Sequence, residues 1–237
     1  MATIAQPVSS EERFYQKLAL GLAIFIVFGF AQFAARGFVD YGGVPIIFHL
    51  HGLVMISWLS VLVVQTTLVA RDNLAVHRKL GWLGAALATA IAPLAIATCM
   101  AAIRSGFVPP FFTPAYFLAL VSIEGTAFAA LVWAAIALRR RTDWHRRLMI
   151  GAVIVLMEPA LGRLLPMPLI GGENGEWLAL AIQLGVLALV GRQDRATRGA
   201  IHPATLTFGA ILIALHIAVS LASRMPMASA MAASITA

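Results

Sequence analysis

Charge is scarce in this chain: Asp, Glu, Lys and Arg make up 11% of 237 residues, against roughly 25% in a soluble domain. Cysteine is scarcer still, with Cys99 alone. That excludes an internal disulfide, a Cys-x-x-Cys-His haem attachment and any thiolate cluster. No phosphate-binding glycine loop and no nucleophile elbow occurs, so a nucleotide-dependent enzyme of ordinary type is excluded as a reading. No small-residue cleavage site follows the first apolar run, which therefore reads as a retained helix instead of a signal peptide. What remains is apolar: 61% of residues are hydrophobic and the mean hydropathy is +0.90.

Seven apolar runs follow in order: Leu18 to Ala35, Pro45 to Ala70, Leu80 to Ile103, Phe111 to Leu138, Leu148 to Leu165, Trp177 to Val190 and Ala204 to Ala222. Most approach the roughly 20 residues that cross a bilayer. The sixth is short, and charge decides its placement. Arg71, Arg78 and Lys79 follow the second run, Arg139 to Arg141 with Arg146 and Arg147 follow the fourth, and Arg192, Arg195 and Arg198 follow the sixth. These basic turns belong on the cytoplasmic side, and the alternation holds only if the sixth run crosses. The predicted fold is an all-α, polytopic transmembrane bundle of seven helices in a bacterial inner membrane, N-terminus inside and C-terminus outside. Its expected divisions are a cytoplasmic tail over 1–17, one helical domain over 18–223 and a disordered tail over 224–237. The net charge of +7 reads as topology and headgroup contact with membrane lipids, not as nucleic-acid binding.

Ionisable groups inside the runs carry the functional signal, because burying them in hydrocarbon is costly. His51 lies about 9 Å from the outer end of its run at 1.5 Å per residue, and Glu158 and His216 lie about 10 Å from the same side. Three groups on three helices thus share a level. His51, Met55, Trp58 and Gln65 fall on one helical stripe, with His49 on nearly the opposite side. Three readings follow. In one, His51 and His216 clamp haem b as axial ligands, Met55, Trp58 and Met157 line its space, and Arg163 meets a propionate near the outer surface. In another, a transition-metal ion recruits His49, His51, His216 and Glu158. In the third, the histidines hydrogen-bond across helices and Glu158 pairs with Arg163. Glu124 stands alone near the middle of the fourth run, either a proton-relay carboxylate or a protonated carboxyl bonded to the backbone.

His77-Arg78-Lys79-Leu80 and His145-Arg146-Arg147-Leu148 form a weak internal echo at the cytoplasmic mouths of two helices. They read as interfacial anchors or as a second metal or haem site. Asp72 and Asp143, just upstream, read as helix N-caps.

Taken together, His49 to His51-Gly52, Gln65, His77-Arg78 with Leu80-Gly81, and His145-Arg146-Arg147 with Met149 resemble a group of uncharacterised bacterial multi-helix membrane proteins with repeated His-Arg motifs. The same residues are loosely similar to transmembrane b-type cytochromes. That resemblance implies haem between histidines of neighbouring helices and electron transfer with a quinone or a redox protein partner. The class expected first is a haem-binding redox protein. Those set beside it are a proton-coupled transporter or metal-handling carrier using Glu124, Glu158 and the histidines, and a sensor or assembly subunit.

Overall fold

The computed structural model describes residues 9–40 and 42–236. Among them are ten helices and no strand: α1 (Ser10–Ala35), α2 (Ile46–Ala70), α3 (Leu74–Arg104), α4 (Pro114–Ala137), α5 (Thr142–Val155), α6 (Glu158–Leu164), α7 (Met167–Ile170), α8 (Gly172–Arg198), α9 (Pro203–Ser223) and α10 (Pro226–Thr236). Six of them, α1 to α4, α8 and α9, are long and apolar enough to cross a membrane. The protein is a multi-pass helical membrane protein.

Local chemistry sets the helix starts. Ser9 and Glu12 form a reciprocal capping box at α1, the Ser9 hydroxyl accepting from Glu12 N at 3.1 Å and the Glu12 carboxylate accepting from Ser9 N at 2.9 Å. Thr113 caps α4 at 3.1 Å, with Pro114 in the first turn, where its missing N–H costs nothing. At α9 the His202 imidazole accepts from Ala204 N at 3.0 Å, and Pro203 follows it. The expected Asp caps are corrected. Asn73 caps α3 at 3.3 Å, while Asp72 takes a positive φ of 54°. Asp143 sits inside the first turn of α5.

The fifth apolar run is not one helix. Pro159 supplies no N–H to the carbonyl four residues earlier, Val155, and its ring collides with that carbonyl, so α5 ends at Val155 and α6 starts at Glu158. The sixth run is longer than its apolar stretch suggests. α8 begins at Gly172, which takes Glu176 out of the expected loop and into a helix.

The tails also differ from expectation. Residues 1–8 lie outside the described residues, and α1 already includes Ser10 to Lys17. The tail expected to be disordered over 224–237 instead carries α10, which packs on α3 and α4, with Ile235 against Cys99, Ile103 and Leu118. Eleven residues of mostly small and apolar type gain more by covering that seam than by remaining free.

α4, α5 and α9 form the middle of the bundle, with α1, α3 and α8 packed around them, and α2 lies against α1 and α3. Close packing, more than hydrophobic drive, holds helices together in lipid. At Gly29 a side-chain carbon would fall 2.9 Å from the Ala160 methyl, so glycine is what lets α1 and α6 approach. Trp58 and Phe128 are fully buried edge to face with centroids 4.8 Å apart, a pairing worth about 0.5–1.5 kcal/mol beyond burial. Trp58 and the partly buried Met55 pack into this apolar core.

Candidate functional site

Four buried ionisable side chains meet at the end of the bundle opposite the basic turns. Glu124 comes from α4, Glu158 from the first residue of α6, Glu176 from the second turn of α8 and His216 from two turns before the end of α9. Their exposures are 7%, 2%, 2% and 0%. One ligand atom each from Glu124, Glu176 and His216 lies within 4.8 Å of the other two. Glu158 is close enough to act electrostatically on both other carboxyls.

The orientation of His216 follows from a bond between α8 and the last turn of α5. Near the frayed end of α5 the Ile154 carbonyl accepts from Gln183 Nε2 at 3.0 Å. That bond fixes the Gln183 amide, so Oε1 points at His216 and accepts from its Nε2–H at 2.7 Å. With the proton on Nε2, the lone pair of a neutral ring lies on Nδ1. Nδ1 is 2.7 Å from Glu176 Oε1, but neither atom has an aligned hydrogen-bond partner. The two atoms are close without the alignment a hydrogen bond requires. The other oxygen of Glu176 accepts from the Tyr116 hydroxyl. Glu158 Oε2 is buried without a hydrogen-bond partner among the described residues.

Tyr116 lines a cavity of about 330 Å³ together with Phe111, Phe112, Thr113, Gly172, Ser220, Ser223 and Arg224. Ser220 and Ser223 continue the His216 stripe at i+4 and i+7. The cavity thus reaches Tyr116, whose hydroxyl donates to Glu176.

The structure thus brings together Glu124, Glu158 and His216 of the residues expected from sequence, and adds Tyr116, Glu176 and Gln183. It does not add His51, which is partly buried on α2 with Nδ1 unpartnered and lies within electrostatic reach of Arg163. His49 is on an exposed face. Arg163 donates to the Pro159 carbonyl at 2.7 Å and its guanidinium lies 4.0 Å over the Phe30 ring. Gln65 donates to the His77 carbonyl at 3.1 Å, across to α3. Sequence reasoning passed over Glu176 because it follows a Pro- and Gly-rich stretch. One signal was present: Glu176 and Gln183 are seven apart, which puts them on one helical stripe.

A haem clamped by His51 and His216 does not fit these residues. Nε2 of His216 is committed to Gln183, its ring is fully buried, and α2 packs on α1 and α3 while α9 packs on α4, α5 and α8. Met55 and Trp58 fill the core where the porphyrin would need space. The apolar recess of about 440 Å³ beside α2 is lined by Leu50, Val54, Ala90, Pro93, Leu94 and Ala97, and by no histidine.

The chain matches no protein-family model, no curated protein and no solved structure. The class defined by fold and geometry is a multi-pass helical membrane protein with a buried carboxylate–imidazole cluster.

Proposed function

We propose that this chain is a metal-handling protein of the bacterial inner membrane that takes a divalent transition-metal ion at Glu124, Glu176 and His216 in exchange for protons. The observation that carries this reading is the His216 geometry: Nε2–H is anchored on Gln183 at 2.7 Å and Nδ1 is turned towards carboxylates. Metal-ligating imidazoles are held in this way, one nitrogen donating to an oxygen and the other left for the ion.

The dimensions suit such an ion. Metal bonds of about 2.0–2.2 Å in a tetrahedral site put ligand atoms about 3.5 Å apart. The three ligand atoms, within 4.8 Å of one another, reach that spacing by small side-chain rotations. A nitrogen and two carboxylate oxygens favour Zn²⁺, Mn²⁺ or Fe²⁺ over softer ions.

The charge also suits it. Three carboxyls and one imidazole cannot all stay ionised in hydrocarbon without countercharge. Either protons or a dication must supply it, so metal binding displaces protons. Glu158, adjacent but outside the ligand triad, serves as the proton acceptor, and the Tyr116 recess as the access route. With the basic turns cytoplasmic, this recess opens outwards.

Titration of the detergent-purified protein with Zn²⁺ and Mn²⁺ in buffers of different ionisation enthalpy tests the reading. One tight ion per cluster with proton release is expected, as is uptake by proteoliposomes that falls with Glu158→Gln. Tight binding that survives both Glu124→Gln and Glu176→Gln would overturn it.

A further inference from the structure

At the basic end, the two His-Arg motifs, 68 positions apart in the chain, meet in space. The rings of His77 on α3 and His145 on α5 have centroids 6.4 Å apart and stand at right angles. His145 Nδ1 lies 2.8 Å from the Ala135 carbonyl, a contact that requires the proton on Nδ1 and leaves Nε2 with its lone pair. His77 Nδ1 is buried with no hydrogen-bond partner, and so is Oε1 of Gln65, whose Nε2 donates to the His77 carbonyl at 3.1 Å. On neighbouring helices, His77 Nδ1 and Gln65 Oε1 therefore lack a partner among the described residues, and the adjacent His145 ring carries its lone pair on Nε2.

We infer that His77, His145 and Gln65 form a second metal site, for an imidazole-preferring ion such as Zn²⁺, Cu²⁺ or Ni²⁺. Two imidazoles bound to one ion at about 2.0–2.1 Å have ring centroids roughly 5–6.5 Å apart, and the observed separation falls in that span. The Ala135 carbonyl plays the part of the outer partner that fixes a ligating ring. Two imidazole nitrogens with one amide oxygen leave a position for water or a passing ligand. Arg78, within electrostatic reach of His77, opposes a cation there. The affinity expected is accordingly lower than at the carboxylate cluster. This site stands on its own residues and does not depend on the reading of Glu124, Glu176 and His216.

Equilibrium dialysis of the full-length protein against Zn²⁺, followed by elemental analysis, tests it. Two classes of ion are expected per chain, and the His77→Gln/His145→Gln double variant loses the weaker class alone. Glu124→Gln/Glu176→Gln loses the tighter class alone. Persistence of the weaker class in the histidine variant overturns the inference while leaving the carboxylate site standing; absence of only the tighter class does the reverse. Should the histidine variant not fold, acylation of the wild-type protein by diethylpyrocarbonate, read by peptide mass spectrometry, decides. Zn²⁺ at ten times the weaker Kd should slow modification of His77 and His145 by about tenfold. Equal rates with and without Zn²⁺ overturn the site.

Discussion

Two buried groups of ionisable side chains, the Arg147–Asp194 pair and the carboxylate cluster, are treated in opposite ways. At the basic end Arg147 and Asp194, with side chains 1% and 0% exposed, satisfy each other almost completely. Arg147 Nε donates to Asp194 Oδ1 at 3.0 Å, Nη2 donates to the same oxygen, and Nη1 donates to the Asp143 carbonyl at 2.9 Å. The second oxygen of Asp194 accepts from His202 N at 3.0 Å and from the Thr205 hydroxyl at 2.6 Å. Glu11 adds contacts of 3.2 Å to Arg146 and 3.4 Å to Arg147. At the other end three carboxyls face one imidazole, and atoms of Glu158, Glu176 and His216 lack aligned partners. A buried pair whose opposite charges and hydrogen-bonding groups meet each other, as those of Arg147 and Asp194 do, is a clamp between helices. A buried network with spare electron pairs of one sign is built for something that arrives and leaves.

That contrast can be broken most directly at Arg147. Arg147→Met strands Asp194 in the interior and should cost about 3–5 kcal/mol, whereas Arg147→Met with Asp194→Leu should recover most of that loss. Denaturant unfolding in detergent measures both. If the single variant is as stable as wild type, the clamp interpretation is wrong.

At the carboxylate end, Glu176→Gln should weaken Zn²⁺ binding by about 100-fold or more. Thermal stability without metal should hold or rise, because the change lessens the excess of buried carboxyls. A variant that unfolds but still binds metal would invert the comparison. Gln183→Leu sharpens it further. Removing the oxygen that orients His216 should cost about 10–100-fold in metal affinity without removing a ligand, so calorimetry should still find one ion per cluster.

The smallest effect concerns acid. Partial burial pushes the Asp143 carboxyl up, but hydrogen bonds and charge from Arg146 and Arg198 outweigh that and bring it down from 3.8 to about 2. Those contacts are 2.5 Å each. The folded value lies below the unfolded one, so the contribution is complete above about pH 4 and is lost as pH falls towards 2. A solvent-screened, partly exposed pair of this kind is worth little. Asp143→Asn should therefore flatten the acid limb of the stability profile only slightly, as followed by thermal unfolding between pH 5 and 2. An unchanged limb would remove Asp143 from the clamp.

Much of the carboxylate cluster was legible as residue type and depth. Glu124, Glu158 and His216 declare themselves because ionisable groups are rare in apolar runs, and the shared depth of Glu158 and His216 follows from helical rise alone. Glu176 and Tyr116 were hidden by the turn residues around them, and Gln183 by being neutral. His51 shares the depth of His216, but depth says nothing about which helices are neighbours.

By itself, the sequence determined membrane residence, the helical class, the basic end and the presence of costly buried charge. These are properties of composition and of spacing within one run, which the bilayer enforces locally. Only tertiary structure decided that α2 lies away from α9, that Gln183 reaches the Ile154 carbonyl, that Glu176 turns inward and that His77 meets His145. Each of those depends on which helix faces move together, and such pairings arise from packing between segments far apart in the chain.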